Sequence, residues 1–195
     1  MATKRRTPAR KATRSRQAKQ SPDGSELLAL ELKEIHSAES QLSKVVPRLA
    51  KSVQSDRLRE LLEERLAQGE QVIADVESAL EELDETPRGR KNVAAEGLIN
   101  DAREHAQEIA AGPALDSVLI GAIQKTGHYC IAAWGTARSL AEAVGQRQAA
   151  RALERAVKEG ARFDEQLTQL AEREVTPALL AMAQESDGMQ AGARR

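Results

Sequence analysis

Aromatic side chains are almost missing from this chain. Trp134, Tyr129 and Phe163 are the only three in 195 residues. Val and Ile occur singly rather than in strand-like alternation, while Ala, Leu, Glu, Arg, Gln and Lys dominate. That composition predicts an all-α protein. The single cysteine, Cys130, excludes an internal disulfide framework and fits a reducing compartment. No apolar run approaches the ~20 residues of a membrane span, and the first residues lack the apolar core of a secretory signal. The expectation is a cytoplasmic protein with no membrane partner.

Acidic residues are missing altogether from residues 1–20, which carry Lys4, Arg5, Arg6, Arg10, Lys11, Arg14, Arg16 and Lys19. Of the 29 Lys and Arg in the chain, these eight leave 21 for the rest, against 30 Asp and Glu. The chain therefore reads as an acidic body with a basic tail. Residues 1–25 lack the apolar surface to fold and are expected to be disordered. A basic arm of this kind contacts nucleic acid through phosphates, or simply solubilises the chain.

Long amphipathic segments follow. Ser21–Ser25 reads as a linker with Ser25 as N-cap. The first helix is predicted over about 26–51, with the stripe Leu28, Leu32, Ile35, Leu42, Val46 and Leu49, Glu39 midway, and a kink at Pro47. The second spans about 56–83, with Leu62, Leu66, Gly69, Ile73, Val76, Leu80 and Leu83 inward. A shorter polar helix covers 91–111. Two more long helices follow at about 114–144 and 148–172, the former ended by Gly145. A short last helix starts at Thr176 as N-cap with Pro177 in its first turn, so residues 173–195 form a short helix and polar tail. Short links make two antiparallel hairpins, and the ~30-residue connection between them lets the chain cross the bundle. This is the ferritin-like form of the four-helix bundle, over residues 26–172.

The inner stripes carry the candidate chemistry. The fourth helix presents Ile123, Gly127, Cys130, Trp134, Ala137, Ala141 and Val144, and the fifth presents Ala149, Leu153, Ala156, Gly160, Phe163, Leu167 and Leu170. His128 and Tyr129 fall beside the stripe. A helix-interior glycine costs about 0.5–1 kcal/mol relative to Ala, so Gly127 and Gly160 call for a packing reason, such as room for Trp134 or Phe163. Counting outward from the two hairpin turns puts Glu39 level with Gln68, and Cys130 near Gly160. In di-metal bundles, carboxylates from all four helices converge at such midpoints.

Several stretches resemble the YciE/YciF family of bacterial ferritin-like proteins. They are Glu31–Leu42, Thr86–Lys91 with Glu96–Ile99, Gly112–Asp116, Gln124–Tyr129 with Ala132–Thr136, and Asp164–Thr168 with Leu170–Glu172. They occur in family order and spacing over residues 26–172. The resemblance implies a stress-associated bacterial protein, commonly dimeric, whose bundle can hold two metal ions. At the family's ligand positions, however, only Glu39 remains a carboxylate. The family's His-Leu-Glu-Glu-Thr pattern is Arg65-Leu66-Ala67-Gln68-Gly69 here, and its Glu-His-Tyr-Glu is Gly127-His128-Tyr129-Cys130. A further Glu is replaced by Gly160.

A di-iron centre needs about four carboxylates and one or two histidines. One carboxylate, a glutamine and a thiol do not meet that need. No HxxxH or CxxC spacing supports a mononuclear site from Glu39, Cys130 and His36 or His128. The residues read instead as a rebuilt apolar core. Phe163 occupies the vacated volume, the glycines give clearance, and Trp134 packs. Glu39 is then expected to pair with Arg65 and accept a hydrogen bond from Gln68, or to be protonated. His36 and His105 read as partly exposed surface histidines. No catalytic residue, cofactor or small-molecule substrate is expected, and the chain is read as a structural or binding protein forming a homodimer. Two other readings stay open: an iron- or manganese-binding oxidant-handling protein, and a nucleoid-associated protein held to DNA by its basic tail.

Overall fold

The helix boundaries follow from caps and breakers. The computed structural model describes residues 21–192, with side chains through Gln184. The first helix, α1 (Gly24–Ser52), starts at Asp23 rather than Ser25. The Asp23 carboxylate accepts from the Glu26 N–H, and the Glu26 carboxylate accepts from the Asp23 N–H, a reciprocal pair that satisfies two otherwise orphaned donors. Pro47 lies inside α1, which runs on to Ser52.

Ser55 caps α2 (Asp56–Glu81) through the Leu58 N–H. Asn92 caps α3 (Val93–Glu108), and Pro113 opens α4 (Pro113–Ala143), where its missing N–H costs nothing. Gly145, with φ of 83°, turns the chain into α5 (Arg147–Leu170). The predicted break before Thr176 is absent. A π-helical turn, Ala171–Val175, joins α5 directly to α6 (Thr176–Gly192), and Thr176 has helical backbone angles rather than those of an N-cap. Widening the helix by one residue per turn lets the chain pass Pro177 without a stop.

The protein is an all-α, ferritin-like bundle with no strands among the described residues. Two hairpins, α1/α2 and α4/α5, pack so that α1 contacts α4 and α2 contacts α5. Direction follows from contacts at the two ends. A side chain built on Gly24, at the start of α1, would come 2.9 Å from Val144 at the end of α4. At the opposite end, both oxygens of buried Asp116, in the first turn of α4, accept from the backbone N–H groups of Gln54 and Ser55, at 2.9 and 2.8 Å. Helices α2 and α4 therefore start at the same end and run parallel, as a long crossover permits.

That crossover is tied down by Asn92. Its amide donates to the Glu34 carbonyl and the Tyr129 hydroxyl, its N–H donates to the Ser37 hydroxyl, and its carbonyl accepts from Gln41. One buried residue thus joins the crossover to α1 and α4.

The buried apolar residues fall into two clusters. One holds Val46, Leu62, Ile99, Ile123, Phe163 and Leu167, toward the Asp116 end. The other holds Leu28, Leu32, Val76, Trp134, Ala141 and Leu153, toward the Gly24 end. On α2 the second buried row runs through Val72 rather than the predicted Ile73, which is only half-buried. A 3.6-residue repeat drifts away from a strict three-four alternation within a few turns, and that drift changes which neighbour faces inward.

Candidate functional site

Between the two clusters lies a polar layer, at the level where the inner stripes of α1, α2 and α4 carry Glu39, Arg65 and Cys130. Glu39 is 1% exposed and Arg65 is 6% exposed. The Arg65 Nη2 donates to both Glu39 oxygens, at 2.9 Å each, and approaches the Cys130 Sγ at 3.9 Å. The same guanidinium lies over the Trp134 ring, 5.5 Å from its centroid, so a π-face covers the cation. Burial is the largest influence on Arg65 and favours loss of its proton. The Glu39 charge and the Cys130 sulfur together outweigh it and hold the guanidinium above its ordinary value. Burial pushes the Cys130 thiol far up, and the Glu39 charge adds to this while Arg65 opposes it. Cys130 is therefore a neutral thiol at physiological pH, unsuited to act as a nucleophile.

The backbone of α2 makes room for this pair. A Cβ on Gly69 would lie 2.9 Å from a Glu39 oxygen and 3.0 Å from the Arg65 Nη1. The family's Thr at this position would therefore collide with the ion pair. Gly69 is one turn from Arg65 on the same face, so the glycine leaves room for the ion pair.

The other expected residues are placed as follows. Gln68 does not reach Glu39; its side-chain amide donates to the Ala156 carbonyl across the α2–α5 contact, at 3.4 Å. Gly160 gives clearance to Trp134, whose ring would lie 2.7 Å from a Cβ there, with Ile131 at 2.9 Å. Gly127 gives clearance to nothing: no atom lies within 4 Å of its Cβ position, and the residue borders a void of about 20 Å³ under α3, near Leu42, Ile99 and Ile123. Phe163 packs with Leu62, Ile123 and Leu167 and lines a groove between α2 and α5, so Trp134 rather than Phe163 takes the room at Gly160.

No histidine joins the layer. His128 is 66% exposed and faces the Asp164 carboxylate at 3.3 Å, His36 pairs with Glu77, and His105 lies near Asp101. The tail cations Lys4 to Lys19 lie outside the described residues.

These donors do not fit a di-metal centre. Of the positions where the resemblance implies carboxylates, Gly127 and Gly160 offer no donor and Cys130 is a neutral thiol, while Glu39 has both oxygens engaged by Arg65. Among the described residues, no group of three or more His, Cys, Asp or Glu is placed to hold a metal ion.

Sequence reasoning missed two polar clusters that join helices. One is Asn92 with Tyr129. The other is Gln124, whose amide donates to the Asp164 carboxylate and the Thr168 hydroxyl, clasping α4 to α5. All lie in or beside stretches quoted for the resemblance, so a signal was present. Those motifs mark inter-helix clasps as well as ligands.

Comparison with known proteins agrees with this architecture. The family described as "Domain of unknown function (DUF892)" matches residues 23–180. Protein YciF of Escherichia coli (strain K12) is 37% identical over 144 residues, covering 72% of this chain and 85% of YciF. The crystal structure of the E. coli stress protein YciF superposes with a TM-score of 0.75 at 31% identity, covering 80% of this chain and 99% of that one. YcfI from Rhodopseudomonas palustris gives a TM-score of 0.71 at 28% identity, with 79% and 96% covered. On its sequence, its fold and these matches, the chain belongs to the YciE/YciF family, whose shared domain is DUF892.

Proposed function

We propose that this chain is a non-enzymatic structural or binding protein of its family, acting in a stress setting, in which an internal ion pair has replaced the metal centre. One observation carries the reading: the Arg65 Nη2 lies 2.9 Å from each Glu39 oxygen in the buried polar layer. A metal centre needs its carboxylates free and its positive charge supplied by ions. Here the only retained carboxylate is neutralised by the chain's own guanidinium. The relatives lend context: one is described as a stress protein, and for another a structural role has been suggested. The homodimer implied by the family resemblance belongs to the same proposal.

The test is the metal content of the full-length protein, purified without chelators. Iron and manganese well below one ion per chain are expected. Stoichiometric iron or manganese would sink the proposal and restore the oxidant-handling alternative. Carboxylates reintroduced at Gly127, Cys130 and Gly160, with Arg65 changed to His, should gain metal that the wild type lacks.

A second reading rests on charge segregation. Eight cations and no acid occupy residues 1–20, ahead of a body with an excess of acid. Such a tail binds duplex nucleic acid through counterion release. Changing all eight to Gln in the full-length chain should remove most of a salt-sensitive DNA shift; an unchanged shift would count against this reading.

A further inference from the structure

The outer face of α5 carries Arg147, Arg151, Arg155, Lys158 and Arg162, all exposed. Their spacing of four, four, three and four residues confines them to an arc of about 80° on a helix of 3.6 residues per turn, along about 22 Å of axis. The inward face of α5, through Leu153, Ala156, Phe163 and Leu167, is fully occupied by the core. Arg147, Arg151 and Arg162 make no ion pair among the described residues. Arg155 reaches Asp75 at 3.2 Å, and Lys158 reaches Glu154 at 2.7 Å. Both pairs are exposed, and an exposed pair is worth only about 0–1 kcal/mol, so a phosphate can take over either cation at small cost. The acids nearest the row on α5 are Glu154, Glu159 and Glu165.

The position of this row matters as much as its charge. Arg147 opens α5 three residues after Val144, and Val144 abuts Gly24 at the start of α1. The start of α1 and the start of the row therefore lie at the same end of the bundle. We propose that the α5 row is a phosphate-binding track for duplex nucleic acid, contacting the backbone without reading sequence. The proposal deepens the tail reading above, but stands on described residues.

The chemistry favours nucleic acid over a lipid surface. Four of the five cations are arginines, whose planar fork matches phosphate oxygens. A helix that binds a membrane interface must turn apolar side chains toward the lipid. Among the described residues, the exposed large apolar side chains are Val93, Leu180 and Met182, none of them on α5.

The test is the salt dependence of binding to a duplex DNA of arbitrary sequence, followed by fluorescence anisotropy with the full-length chain. Each phosphate neutralised contributes about 0.9 to the slope of log affinity against log salt. The variant R147Q/R151Q/R162Q should therefore lose about 2.7 from that slope. Between 50 and 200 mM salt, its affinity should fall about 40-fold less than that of the wild type. The charge-retaining variant R147K/R151K/R162K should keep the wild-type slope. K44Q/R48Q/K51Q on α1 removes equal charge from another face and should change the slope by less than one.

An unchanged slope in the α5 Gln variant, alongside its loss in the tail-neutralised chain, overturns this inference and leaves the tail reading standing. The reverse pattern overturns the tail reading alone. Absence of binding by the full chain at low salt, an equal effect of the α1 control, or preference for phosphatidylserine vesicles over DNA each overturn the track.

Discussion

Removing Arg65 while keeping Glu39 is the sharpest test of how the centre of the bundle is held. Arg65→Met preserves most of the apolar stem and deletes only the charged head, so little cavity is created. What remains is a carboxylate at 1% exposure that has lost the donor to both of its oxygens. Breaking a buried pair by deleting one partner costs about 3–5 kcal/mol, because the other charge is left uncompensated. That is a large share of the 5–15 kcal/mol that holds an ordinary domain together. For a chain of this size it corresponds to a melting point lower by on the order of 6–20 °C.

The double variant Glu39→Met with Arg65→Met removes both charges and should recover most of the loss, matching or exceeding the wild type by about 1–4 kcal/mol. Urea unfolding at neutral pH, followed by far-UV circular dichroism, gives the free energies. Trp134 emission gives an independent probe, since its ring lies 5.5 Å from the guanidinium. If Arg65→Met unfolds within 1 kcal/mol of the wild type, or the double variant is weaker than Arg65→Met alone, the reasoning fails.

The two stripe glycines should respond in opposite directions. Gly160→Ala puts a methyl 2.7 Å from the Trp134 ring and should cost about 1–3 kcal/mol, whereas Gly127→Ala points into open space and should gain about 0.5–1 kcal/mol in the same urea assay. Cys130 gives a pH signature. Its folded thiol is raised above the ordinary value of 9.0, so its contribution is fully present below pH 9 and is lost as the unfolded chain ionises above it. The stability difference between wild type and Cys130→Ala should be flat up to about pH 9 and then fall by up to about 1.4 kcal/mol per pH unit; a flat difference up to about pH 10.5 would show that the thiol is not buried as described.

The fold was legible because its determinants are periodic. Leu28, Leu32, Ile35, Val46 and Leu49 recur at helical spacing and are buried as the spacing demands. What escaped were features that spacing does not encode. Asp23 and Ser25 both suit an N-cap, and only the reach of Glu26 back to the cap N–H decides for Asp23. The run from Ala171 to Pro177 reads as a stop, because proline cannot continue an α-helix; a π turn is a tertiary solution that no local pattern announces. In the candidate site, the level of Glu39 and Gln68 follows from hairpin counting, but the direction of Gln68 does not. An amide has two ways to be satisfied, and the Ala156 carbonyl across the groove takes it. Gly127 and Gly160 are indistinguishable in sequence, yet one abuts an indole and the other abuts nothing.

The charge balance of the layer explains why these departures come as a set. A bundle centre with several carboxylates must hold cations, and one with a single carboxylate needs a single positive charge. Loss of carboxylates without Arg65 would leave Glu39 buried alone. Arg65 with the carboxylates and metals still present would add a cation to a site already filled with them. The guanidinium also needs space that a side chain at position 69 would take, and cover that Trp134 supplies only because position 160 is glycine. Arg65, Gly69, Cys130 and Gly160 therefore form one coupled solution to neutralising Glu39. Replacing any one of them alone by a bulkier or acidic residue should cost stability without conferring metal binding, because each lies against the same ion pair or its cover.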